Sequence, residues 1–119
     1  MTRTPLLTHK MDRDVHVVSL QGTHTLAESN LQQFSQEFDT LVGAKHGTRV
    51  LINLQGVDYI TSPVIAKLTA LSSFYRQPRG QLKLCCLLPH IRQVLAVMKI
   101  DRLFDIHDTE EEALESFAA

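Results

Sequence analysis

Ile52-Asn53-Leu54-Gln55-Gly56-Val57-Asp58-Tyr59-Ile60-Thr61-Ser62-Pro63-Val64 passes from an apolar run, through a Gln-Gly turn and a second short apolar run, to a hydroxyl followed by proline. With Thr48 to Leu51 before it, the first run is nearly continuous in apolar residues, as suits a strand covered on both faces of a sheet. Gln55-Gly56 supplies the turn, and Val57 to Ile60 continues inward. Ser62-Pro63 then predicts a helix start: a hydroxyl at the N-cap, and proline at the first helical position, where the missing amide costs nothing. Val64, Ile65, Leu68, Leu71 and Tyr75 share one helical face, and Gln77-Pro78-Arg79-Gly80 breaks the helix. A buried strand feeding a helix is half of a crossover unit.

Working outward, the same alternation repeats. Upstream, Val15 to Gly22 (VHVVSLQG) predicts a strand packed on both faces, with Leu6 to Met11 pairing beside it. Thr25-Leu26-Ala27-Glu28 has the spacing of a reciprocal helix cap, with Thr25 as the capping hydroxyl. Leu31, Phe34, Phe38 and Leu41 form the apolar stripe of the helix that follows, Gln32, Gln33, Gln36 and Glu37 fall on its other side, and Gly43 ends it. Downstream, QLKLCCL is a strand. Pro89 opens a helix with Ile91, Val94, Leu95 and Met98 at helical spacing, and Phe104 to His107 is a short last strand. Thr109-Glu110-Glu111-Glu112 caps a final helix with acidic residues toward the positive end of its dipole, and Ala113, Leu114 and Phe117 are its buried stripe. The order strand, strand, helix, strand, helix, strand, helix, strand, helix predicts an α/β domain with a largely parallel sheet of four to five strands covered by about four helices.

The 119 residues suffice for one domain, 1–119, with a core over about 6–117. At 44% hydrophobic and 21% charged residues, the composition is that of an ordinary folded chain. A net charge of −1 lacks the basic excess that phosphate-backbone binding needs, so nucleic acid is not an expected partner. No apolar run nears the roughly 20 residues that cross a bilayer, and residues 1–10 lack a signal-peptide core; the expectation is a cytoplasmic protein without membrane insertion. Cys85 and Cys86 are adjacent on a strand and should point to opposite faces, which would strain any bridge between them; they read as buried thiols in a reducing compartment.

The short signatures of catalysis and nucleotide binding are missing: GxxxxGK[ST], GxGxxG, HExxH, GxSxG and CxxC do not occur. His16 sits in a strand, and His24, His46, His90 and His107 are scattered without helical pairing, so no metal site is expected. Asp58, Ser62 and a histidine lack a spacing that would make them a triad. The chain thus reads as non-enzymatic and without a cofactor. Ser62 keeps two readings: a helix cap, or a phosphoacceptor whose phosphate would meet the positive end of a helix dipole and add up to two charges to a nearly neutral surface.

The pattern of a strand, then Leu54-Gln55-Gly56-Val57-Asp58-Tyr59-Ile60, then a serine at a helix start, resembles the STAS domain of anti-sigma-factor antagonists. So do VVSLQG before the first helix and PHIRQVLAVMKIDRLFDIHDTEEEAL at the end. The resemblance covers about Leu6 to Phe117. It implies the STAS fold and a protein-interaction role: binding an anti-sigma factor or a serine kinase of the partner-switching type, with a homodimer as an allowed state. Ser62 matches the family's phosphorylated serine, with Thr61 as a second candidate. Thr61, Pro63 and Val64 stand where the family usually has Asp, a second hydroxyl and Gly, and Thr23, His24 and Thr25 stand where an acidic side chain is usual. The implied partner surface is Thr23, His24, Thr25, Asp58, Tyr59, Thr61, Ser62, Val64, Ile65 and Lys67. With these departures, the resemblance is also similar to a constitutive scaffold or accessory subunit of a stressosome-like or transporter complex, without a phosphoswitch.

Overall fold

The computed structural model describes residues 5–21, 25–43, 48–75 and 80–118. Their strands are β1 (Leu7–Asp12), β2 (Val15–Leu20), β3 (Thr25–Leu26), β4 (Arg49–Asn53), β5 (Tyr59–Ile60), β6 (Gln81–Cys85) and β7 (Asp105–His107). Their α-helices are α1 (Glu28–Val42), α2 (Ser62–Tyr75), α3 (Pro89–Val97) and α4 (Glu110–Ala118). The main sheet runs β1-β2-β4-β6-β7. β1 and β2 are an antiparallel hairpin, with Leu7 opposite Leu20, and every later pairing is parallel.

Each successive crossover steps in the same direction across the sheet, so the right-handed rule places α1, α2 and α3 on one face. That face holds the larger core, built on Val18, Val50, Ile52 and Leu84 from the strands, Phe34 and Phe38 from α1, and Val64, Ile65 and Leu68 from α2. Among the described residues the opposite face is covered by α4, whose Ala113, Leu114 and Phe117 pack on Val15, Val17, Leu51 and Cys85. Between α4 and the sheet lies a buried cation. Lys83 Nζ donates to Ser116 Oγ at 2.6 Å, pairs with Asp105 Oδ2 at 3.0 Å and sits 4.7 Å from the centre of the Phe117 ring. With its charge neutralised and its donors directed, the ammonium is tolerated in an otherwise apolar layer.

Several local expectations shift. Thr25 does not cap α1; it belongs to β3, and Ala27 is the N-cap. The bonding that a capping hydroxyl would have supplied comes from Asn30, whose Oδ1 accepts from the Ala27 amide at 3.0 Å and whose Nδ2 donates to Thr25 O at 2.8 Å. Glu37 is not on a purely solvent face: its carboxylate accepts from the amides of Leu6 and Leu7 at 2.8 to 3.0 Å and from Gln33 Nε2 at 2.6 Å, tying α1 to the start of β1. Val94 and Met98 of the third predicted stripe are exposed, whereas Ile91 and Leu95 are buried. Cys86 lies past the end of β6 with φ 64°, a left-handed turn that brings its side chain to the same cluster as Cys85 rather than the opposite face. Cys86 is only half-buried, while Cys85 is fully buried, and burial followed by the neighbouring Cys86 pushes the Cys85 thiol well up, away from reactivity. Thr109 does cap α4 as expected, its Oγ1 accepting from the Glu112 amide at 3.1 Å.

Candidate functional site

Two short strands that periodicity alone does not reveal assemble the site. β3 and β5 pair in parallel, Thr25 against Tyr59 and Leu26 against Ile60, outside the main sheet. The Thr61 amide extends this pairing by donating to Leu26 O at 3.0 Å. The segment before α1 and the segment before α2, over thirty residues apart in sequence, are thereby held side by side. Thr23 and His24, expected on this surface, lie outside the described residues.

The start of α2 is one residue earlier than the sequence suggests. Thr61 O accepts from both the Val64 and Ile65 amides at 3.1 Å, which makes Thr61 the N-cap, Ser62 the first helical residue and Pro63 the second. The expected N-cap role of Ser62 is therefore corrected. Two adjacent hydroxyls can each begin a helix, and only the carbonyl that closes the first turn decides between them. The consequence for a phosphate is direct: Pro63 has no amide, and those of Val64 and Ile65 are engaged. A phosphate on Ser62 would feel the helix dipole but find no open amide on the two residues after Pro63.

Ser62 is exposed at the tip of the helix. Around it, Asp58 is exposed and Tyr59 stands 58% accessible, a high value for an aromatic ring. Lys67 is half-buried one turn into α2. Val64 and Ile65 are 0% and 4% accessible and belong to the core, so they hold the surface from beneath and do not present themselves to a partner. The Thr61 side-chain oxygen is shielded from solvent and has no hydrogen bond of good geometry. It nevertheless lies by Glu28: the Thr61 hydroxyl, with Glu28's own backbone amide, holds the Glu28 carboxyl below its ordinary range.

Glu28 and His90 are the two site neighbours that sequence reasoning missed. Glu28 opens α1 and puts an acid beside Thr61, at the place where the local sequence has no acid. His90, in the first turn of α3, donates Nε2–H to Asp58 O at 2.6 Å and pins the Asp58–Tyr59 loop to that helix. Each is about thirty residues from its contact, and neither spacing carries a signal in one dimension. Among the described residues no group of three His, Cys, Asp or Glu side chains is placed to hold a metal. No described helix is long and apolar enough to cross a membrane.

Residues 9–113 match the STAS domain. The chain belongs to the STAS family. It is 30% identical over 101 residues, 85% of this chain and 84% of the other, to the "Putative anti-sigma factor antagonist BtrV" of Bordetella bronchiseptica. An anti-sigma-factor antagonist (STAS) domain protein of Planctomyces limnophilus shares the fold with a TM-score of 0.87 at 26% identity, over 95% of this chain and 98% of that one. An anti-sigma factor antagonist of Mycobacterium paratuberculosis shares the fold alone, at a TM-score of 0.79 and 18% identity over 95% and 93% of the two chains. The STAS assignment drawn from residues 52–64 and the closing segment is thus shown, and this is a STAS domain similar to anti-sigma factor antagonists.

Proposed function

We propose that this STAS domain works by binding rather than by catalysis, in the cytoplasm, as an anti-sigma-factor antagonist whose partner is an anti-sigma factor or a serine kinase of the partner-switching type. The observation that carries the reading is Ser62: an exposed hydroxyl on the first residue of α2, flanked by exposed Asp58 and Tyr59 on a loop fixed by His90 and by the β3–β5 pairing. Phosphorylation there adds charge to the centre of the face without disturbing the core, because Val64 and Ile65 below it stay packed. Thr61 is the poorer acceptor, since a kinase cannot reach a solvent-shielded oxygen. The phosphate would project toward the partner, with Glu28 and Asp58 adding to its repulsion.

The test is mass spectrometry of the protein isolated from its own cells in growth and under stress, together with capture of partners by the native chain, Ser62→Ala and Ser62→Asp. Phosphate on Ser62, with capture retained by Ser62→Ala and lost by Ser62→Asp, is the expected result. Phosphate confined to Thr61 refutes the site. Equal capture by all three chains with no phosphate under any condition replaces the switch by a constitutive scaffold.

A further inference from the structure

The β1–β2 hairpin carries a second constellation, toward the beginning of β2 and so at the far end of the sheet from Ser62. His9 Nε2 and His16 Nδ1 approach to 2.8 Å across the two strands, with ring centroids 5.1 Å apart and the rings tilted by 33°. Both residues are half-buried. Met11 is the register partner of His16 and, two residues from His9, lies on the same face of the hairpin. Directly opposed residues keep their Cβ atoms about 4.5–5.5 Å apart, and the three rotatable side-chain bonds of methionine let its sulfur reach toward the imidazoles. Met11 is 54% accessible, so its thioether stays at the surface, on the hairpin face that carries the two rings.

Two ring nitrogens that face each other at 2.8 Å, with a thioether on the same face of the hairpin, form a donor set of borderline and soft character. Such a set suits a soft ion better than magnesium or calcium, which take oxygen, or structural zinc, which is held by thiolates and imidazoles. We propose that the hairpin binds a monovalent copper ion through His9 Nε2, His16 Nδ1 and the Met11 thioether. In the ion-free hairpin one of the facing nitrogens carries the proton of their mutual hydrogen bond. On binding, that proton moves to the far nitrogen of the same ring, so both imidazoles stay neutral, copper keeps its oxidation state and no net proton is released. The site needs only a small spreading of the two rings and is reached directly from solvent past Met11. The histidine spacing in the sequence conceals it, because the pair forms across a hairpin and its third member is a methionine.

The experiment is anaerobic competition of the whole chain against a chromophoric copper(I) chelator, with a parallel zinc titration. One copper ion per chain is expected. Its affinity falls about tenfold or more in Met11→Leu, a change at an exposed position that leaves the fold intact, and at least as far in His9→Gln and His16→Gln. Zinc binding, weaker throughout, should be unmoved by Met11→Leu. No competition by the native chain overturns the site. Copper binding that survives both histidine substitutions and disappears in Cys86→Ser overturns it equally, by assigning the ion to the thiols; loss in the histidine variants with none in Met11→Leu removes the thioether and the preference for copper(I).

Discussion

At Thr61 the backbone and the side chain do different work. The carbonyl closes the first turn of α2 and the amide extends β3–β5 pairing, while the hydroxyl is buried without a well-formed hydrogen bond. Thr61→Val keeps the shape and removes a buried hydroxyl whose contact with the exposed Glu28 carboxylate falls short of a well-formed hydrogen bond, so chemical denaturation should show stability within about 1 kcal/mol of the native chain. A larger loss would mean that the contact with Glu28 is a full hydrogen bond. The same substitution should let the Glu28 carboxyl return toward its ordinary range, readable by titration of its side-chain resonance. The start of α2 near Ser62 is legible because a hydroxyl followed by proline is a strong helix-start signal. The position of Ser62 within the turn is not legible, since Thr61 and Ser62 offer the same chemistry, whereas the burial of Val64 and Ile65 follows from the apolar stripe they share with Leu68, Leu71 and Tyr75.

Among the elements, α1 and α2 meet where a loop would otherwise leave their ends apart. Tyr75, at the end of α2 and 3% accessible, donates its hydroxyl to Gly43 O at 2.6 Å, while Gly43 terminates α1 at φ 78° with its amide on Asp39 O. Tyr75→Phe retains the ring's edge contacts with Phe38 and Phe74 and removes only this bond, so thermal denaturation should report a loss of about 0.5–1.5 kcal/mol. β1, β2, β4 and β6 of the main sheet and the four helices follow from apolar pattern, because each is long enough to show it, while the three-residue β7 follows from its place between two helices. β3 and β5, at two residues each, are too short to have one. They exist because Leu26 is wholly buried and the Thr61 amide needs an acceptor, both of which are tertiary facts.

Across the whole molecule, the N-terminal hairpin, the central strand and the last helix meet at one carboxylate. Glu110 accepts from Asn53 Nδ2 at 3.0 Å and from Lys10 Nζ at 2.9 Å. Partial burial pushes its carboxyl up, but the bonds from Asn53 and Lys10 outweigh it and leave the group below its ordinary 4.5. A carboxyl whose folded pKa is depressed stabilises the fold above its unfolded pKa and loses that contribution as pH falls through the folded value. Acid denaturation should therefore steepen below about pH 4.5, and Glu110→Gln should flatten that part of the profile while lowering stability at neutral pH. An unchanged acid limb in Glu110→Gln would show that other carboxyls control it. The arrangement by which α4 covers the second face of the sheet also has a temporal side. Every described strand precedes α4 in the chain, so Val15, Val17, Leu51 and Lys83 are made before Leu114 and Phe117. Until α4 docks, a sheet covered on its first side is bare on the second, a sticky hemisphere waiting for its lid.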